Sequence, residues 1–336
     1  MPENEPIDSE ARESARGVSP DLAEVQPDPV SPTGIEVDSA VATAIKPRGI
    51  APMWHTLVLV LGILAFSIWG AVRPDSASIN PLAPAQRGAH ASAASATDGS
   101  DPVRLIRYGL TGALELVVVA WVALGLRLRK IPFRSLFGAW PKGLNEITRE
   151  AGIAALFWIC SMVVLGSVAF AWQVAQTQIE NHHAANTANK SAAPNPGSAQ
   201  QKSSGQQQVE LAKQLMELAP ANGIEIAAWG LLCLIVGFSE ELIFRGYLQS
   251  QNIALLHRVP IAVVVTAVIF GAAHGYQGVR GILLISVFGI LFGSITLLRK
   301  NLFPGMLAHS WHDFATGMAL ATIRSLHLLD HLPKSR

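Results

Sequence analysis

The chain of 336 residues has only two cysteines, Cys160 and Cys233. Both lie in apolar blocks without metal-ligand spacing, which excludes a disulfide framework and a cysteine-type zinc site; both are expected to be small buried hydrophobes. Also missing is His-Glu-x-x-His, whose i, i+4 histidines make a ready zinc face. Charge is scarce: 15% of residues are charged and the formal net charge is +1, so no nucleic-acid partner is indicated. No internal repeat is visible. What remains is hydrophobic, 50% of the chain, gathered into long blocks. That is the membrane pattern, and the expected fold is an all-α polytopic integral membrane bundle of about seven transmembrane helices.

Residues 1–48 are rich in Pro, Ser, Asp and Glu and cannot bury enough apolar surface to fold alone. They are expected to form a disordered acidic tail. Three spans follow within 49–173, at about 51–72, 105–126 and 150–173. Trp54 and Trp69 are placed as interfacial anchors of the first. Between the second and third, Arg127 to Lys142 carries a basic, aromatic stretch that suits the membrane interface. A polar loop or insertion is expected over 174–222, with Leu211, Leu215 and Leu218 at the spacing of a short surface helix. Four more spans fill 223–325, at about 224–247, 259–275, 281–298 and 303–323, and a short tail, 326–336, ends the chain. Lys46, Arg48, the Arg127–Lys142 cluster, Arg258 and Arg299-Lys300 fall on one side if the spans alternate. The positive-inside rule makes that side cytoplasmic, with the N-terminus inside, and a cell (plasma) membrane is the expected location.

Chemistry is carried by the few polar residues in these apolar segments. A charged side chain near a helix centre costs about 2.5–3.5 kcal/mol to insert, so such residues usually face a bundle interior and have partners. In Ser239-Glu240-Glu241-Leu-Ile-Phe-Arg245, Glu241 and Arg245 are four apart and can pair, while Glu240 points elsewhere and is free to act. His274 closes the next span, and the last, opening with Pro304, contains His309-Ser-Trp-His312-Asp313. Glu240 and His274 each lie seventeen residues from a turn at His257, so a helical hairpin sets them level, a carboxylate beside an imidazole as needed to activate a water. His309 and Asp313 share a face, and His312 is a neighbour of the site. With straight, perpendicular helices, His309 lies about ten residues, or roughly 15 Å, out of depth with His274. Glu115, in the second span without a motif around it, is assigned a structural or pairing role.

Glu240-Glu241-x-x-x-Arg245, then Phe270-x-x-x-His274, then His309-x-x-x-Asp313 resembles the signature of the CAAX protease and bacteriocin-processing (CPBP, also called Abi) family, which includes the type II CAAX prenyl endopeptidase. The resemblance covers roughly residues 224–323. It implies an intramembrane endopeptidase acting on a peptide or membrane-protein substrate within the lipid bilayer. Glu240 would be the general base, and His274 would hold and activate the water. His309 and Asp313 would stabilise the oxyanion, and Glu241 and Arg245 would support the site. The last motif position is often Asn, whereas Asp313 donates only when protonated; as a carboxylate it would orient His309 or His312. The cofactor stays open between none and zinc on Glu240, His274 and His309. Two other readings compete: a non-catalytic membrane scaffold or bacteriocin immunity protein of the same family, and a proton-coupled transporter, since membrane Glu/His chains also carry protons.

Overall fold

Hydrophobic blocks separated by Pro, Gly and charge become helices because lipid offers no partner to a bare backbone N–H or C=O. The computed structural model describes residues 49–72, 100–188, 211–213 and 215–326, and no β-strand occurs among them. The acidic tail expected over 1–48 lies outside the described residues, as does the chain beyond 326.

The helices are α1 (Met53–Val72), α2 (Pro102–Leu128), α3 (Leu144–Ala188), α4 (Gly223–Glu240), α5 (Gln249–Leu256), α6 (Val259–Ala273), α7 (Gly278–Arg299) and α8 (Phe303–Ser325). Between α4 and α5 the chain is wound as a π-helix, Glu241–Leu248, so 223–256 forms one continuous rod. Short 3-10 turns occupy Phe133–Phe137 and Gly275–Gln277.

Among the described residues, five helices are long and apolar enough to cross a membrane: Met53–Gly70, Pro102–Leu128, Leu144–His182, Gly223–Leu256 and Gly275–Arg299. Seven spans were expected; beside these five, two further helices lie at the expected places but do not meet that measure. α6 has 15 residues, roughly 22 Å, less than the roughly 30 Å of a bilayer's hydrocarbon core. α8 has the length but carries His309, His312 and Asp313, which lower its hydropathy. α3 also differs from expectation, continuing to Ala188 into the supposed loop. Residues 174–188 contain no Gly or Pro, and Ala, Gln and Glu sustain a helix beyond the apolar block. Residues 211–213 and 215–218 are helical, at the place where the leucine spacing had put a surface helix. Cys233 is buried as expected, but Cys160 is exposed because it sits on the outer face of α3, among exposed Leu156, Ile159 and Val163.

Small residues let the helices approach closely, the usual packing device where lipid removes the hydrophobic drive. A side chain at Gly237 or Gly317 on the α4–α8 seam would strike Ser310 or Trp229, and one at Gly271 or Gly289 on the α6–α7 seam would strike Ser286 or Ala267. Charged segments gather at the two ends of the bundle. At one end, Ala139 N–H donates to the Lys300 carbonyl (3.0 Å) and Leu302 N–H to that of Phe137 (3.2 Å), which joins the Arg127–Lys142 segment to the Arg299-Lys300 turn. At the other end, Glu225 pairs with Arg104, and Arg324 donates to the carbonyls of Met216, Ala219 and Pro220.

Candidate active site

Three segments bring the polar residues together. The first is the α4–π-helix junction. Every residue from Glu241 to Leu248 is buried, and the wider i→i+5 winding, common at functional sites, starts at the Glu-Glu pair. The Glu241 carboxylate meets the Arg245 guanidinium at 3.0 Å, with both side chains out of reach of solvent. The guanidinium lies over the Phe270 ring at 4.3 Å, so its planar cation is held by an aromatic face as well as by the carboxylate. Glu240, one residue earlier, retains 14% side-chain exposure against 0% for Glu241.

The second segment is the end of α6. The hairpin of α5 and α6 turns at His257, which takes a left-handed conformation (φ 53°). Phe244 stacks edge-on against Phe270 (4.8 Å between centroids), and the Asn252 amide donates to Thr266 Oγ1 (2.9 Å). Both pairs are symmetric about residues 257–259, so Glu240 and His274 lie at the same depth. His274 Nδ1–H donates to the Phe270 carbonyl at 2.9 Å. A carbonyl can only accept, so in the neutral ring Nε2 carries the lone pair.

The third segment is α8. His309 is buried, and its Nδ1–H donates to Glu241 Oε1 at 2.9 Å. Its Nε2 lies 3.5 Å from Glu240 Oε2 and 3.8 Å from Asp313 Oδ2. Glu241 therefore orients His309, which faces two further carboxylates. Gly305, one turn before His309, leaves room for the Glu241 carboxylate. His312 rests against Phe288, 5.3 Å between ring centroids. The depth gap expected between His274 and His309 does not occur: His309 reaches Glu240 and Glu241, and both imidazoles pack on Phe270, at 5.0 and 6.2 Å. The Gly275–Gln277 segment is a 3-10 turn leading straight into α7.

Two residues join this group from outside the three motifs. Arg104 meets Glu225, Tyr108 packs on Trp229 (5.3 Å), and Gly112 faces Leu232 and Ile235. α2 and α4 therefore run parallel, and the next turn of α2 brings Glu115 to the depth of Glu240. There Glu115 lies within electrostatic reach of Glu240, His309 and Asp313. Tyr276, whose ring centroid is 6.0 Å from that of His274, lies within reach of Glu240 and Asp313. A lone carboxylate in an apolar span was the only sign of Glu115 in the sequence, and nothing there pointed to Tyr276.

The donor set does not fit a metal as it stands. Among the described residues no three His, Cys, Asp or Glu side chains are grouped to hold one.

Residues 222–315 match the family model for Type II CAAX prenyl endopeptidase Rce1-like proteins, a match consistent with the CPBP family and its intramembrane proteases. The matched block contains the Glu-Glu pair, His274, His309 and Asp313, but not α1, α2 or α3. No curated protein and no solved structure matches the chain. With its apolar helices, the match makes this a multi-pass membrane protein.

Proposed function

We propose that the protein is an intramembrane endopeptidase that hydrolyses a peptide or membrane-protein substrate with a water activated by Glu240. The observation that carries this reading is the division of labour within the acidic pair. Glu241 is sealed against Arg245 and His309, while its neighbour Glu240 keeps partial exposure and faces His309 Nε2.

Glu240 takes a proton from water as the hydroxide attacks the scissile carbonyl. His274 Nε2 accepts a hydrogen bond from the same water and sets its direction. The developing oxyanion needs donors placed before the reaction. His309 supplies one when Nε2 is protonated, its ring already fixed through Nδ1 by Glu241. Asp313 stabilises that protonated ring, and when it carries a proton itself it is a second donor. Glu240 then returns its proton to the leaving amine. No step requires a metal. The basic end of the bundle, with the Arg127–Lys142 segment and Lys300, is placed in the cytoplasm and the whole in the cell membrane.

Cleavage of a quenched, membrane-anchored peptide library by purified protein in liposomes tests this. Glu240→Gln and His274→Ala should each lower turnover by about 10²–10⁴-fold, with the helical fold retained by circular dichroism. A chelator should have no effect. Full activity in Glu240→Gln would overturn the reading, and loss with chelator restored by zinc would replace the water-only mechanism.

A further inference from the structure

We propose that Ser67 on α1 is a positioning residue for His274, its hydroxyl pinning the backbone on both sides of the histidine. This inference rests on the reading that His274 acts on the attacking water.

α1 turns most of its surface outward. Phe66 and Ile68 are 48% and 62% exposed, yet Ser67 between them is 3% exposed. A serine in an apolar helix commonly turns its hydroxyl back to its own i−4 carbonyl. Ser67 instead donates to the Ala272 carbonyl on α6 at 2.7 Å, and its oxygen accepts the Gly275 N–H at 2.9 Å. Those two groups bracket His274. The Ala272 carbonyl is one that needs a partner outside the helix, because α6 ends at Ala273 and a helix leaves its last carbonyls without an i+4 bond. Lipid cannot supply that bond.

His274 has left the α conformation (φ −102°, ψ 25°), so its side chain is aimed by the turn and not by a helix. Its ring is tied to Phe270 through Nδ1. The backbone beneath that ring is tied to α1 through Ser67. Gly275 allows the close approach, since a Cβ there would come within 2.7 Å of the Ser67 oxygen. One turn further along α1, Gly70 lies beside Tyr276. α1 lies outside the matched block, so nothing in the family match assigns Ser67 a role. Without the hydroxyl, Ala272 and Gly275 must find other partners, and the imidazole moves with them. A displacement of about 1 Å can cost roughly 10²-fold in rate.

The test compares Ser67→Ala, Ser67→Thr and Gly275→Ala in the wild-type and His274→Ala backgrounds, in liposomes. Gly275→Ala pushes the turn off the hydroxyl without altering α1, and so stands in if Ser67→Ala folds poorly. Ser67→Ala and Gly275→Ala should lower kcat by about 10- to 100-fold with KM within about twofold. Ser67→Thr, which keeps the hydroxyl, should retain most of the rate. Neither damaging change should lower the residual rate further in the His274→Ala background. Equal losses in both backgrounds, or wild-type kcat in Ser67→Ala and Gly275→Ala, would overturn the inference. Amide hydrogen exchange over residues 271–277 decides it independently of catalysis. Faster exchange at Gly275 in Ser67→Ala, restored in Ser67→Thr, supports the pin even if the wild type cleaves no peptide and the proposed activity falls. Unchanged exchange sinks the pin whatever the assay shows.

Discussion

Arg245 shows what one charge does inside the bundle. It is buried, pairs with Glu241 at 3.0 Å and lies over Phe270. Replacing it with methionine fills much the same volume but strands the Glu241 carboxylate. Breaking a buried pair in this way costs about 3–5 kcal/mol, so Arg245→Met should unfold at markedly lower denaturant in detergent. Adding Glu241→Gln should restore most of that loss, because the stranded charge is then gone. Recovery of stability without recovery of peptidase activity would separate the lock from the orientation that Glu241 gives His309. His55 is a neutral counterpart. Its Nε2–H donates to the Trp121 carbonyl at 2.8 Å, so Nδ1 must accept from Tyr247 (3.0 Å), and Thr56 then donates to the Tyr247 oxygen (2.8 Å). The chain ties α1 and α2 to the π-helix with its ring nitrogens and both hydroxyls used.

Among the elements, the seam between α4 and α8 decides whether a site exists at all. Glu240 and Glu241 stand on one side of it and His309 and Asp313 on the other, and the helices meet at Gly237 and Ser310. A leucine at Gly237 would drive the two apart. Gly237→Leu should therefore abolish cleavage and lower stability by about 1–3 kcal/mol, the usual cost of overpacking. Gly62→Leu, at a glycine with open space around it, is the control expected to leave both unchanged. Thermal unfolding and turnover measured together check this, and a fully active Gly237→Leu would mean that the seam is looser than it looks.

For the molecule as a whole, the proposed orientation rests on the distribution of positive charge. The interfacial segment around Phe133–Phe137 is tied to the Lys300 turn, while Arg104, Glu225 and Arg324 meet at the opposite end. With Cys160 and Cys233 replaced by alanine, single cysteines at Lys142 and Lys300 should resist a membrane-impermeant thiol reagent in intact cells. One at Asp101 should react. The reverse pattern would invert the bundle without changing the chemistry within it.

The sequence by itself determined that the chain is helical and membrane-embedded, because block length and scarce charge leave lipid as the solvent. It also singled out Glu240, Glu241, Arg245, His274, His309 and Asp313, because each is costly in lipid and conspicuous there. The level placement of Glu240 and His274 followed from counting residues along one hairpin, a local relation. What it could not supply depends on packing between segments remote in the chain. The π-helical winding of 241–248 leaves no mark in hydropathy, and the depth of His309 depends on how side chains from α6, α7 and α8 meet around Phe270. That Glu115 comes within electrostatic reach of Glu240 follows from α2 and α4 running parallel more than a hundred residues apart. Nothing in the sequence singled out Ser67. Only tertiary structure decided that its hydroxyl closes the end of α6, since a serine's partner is chosen by whichever unsatisfied carbonyl or N–H comes within reach.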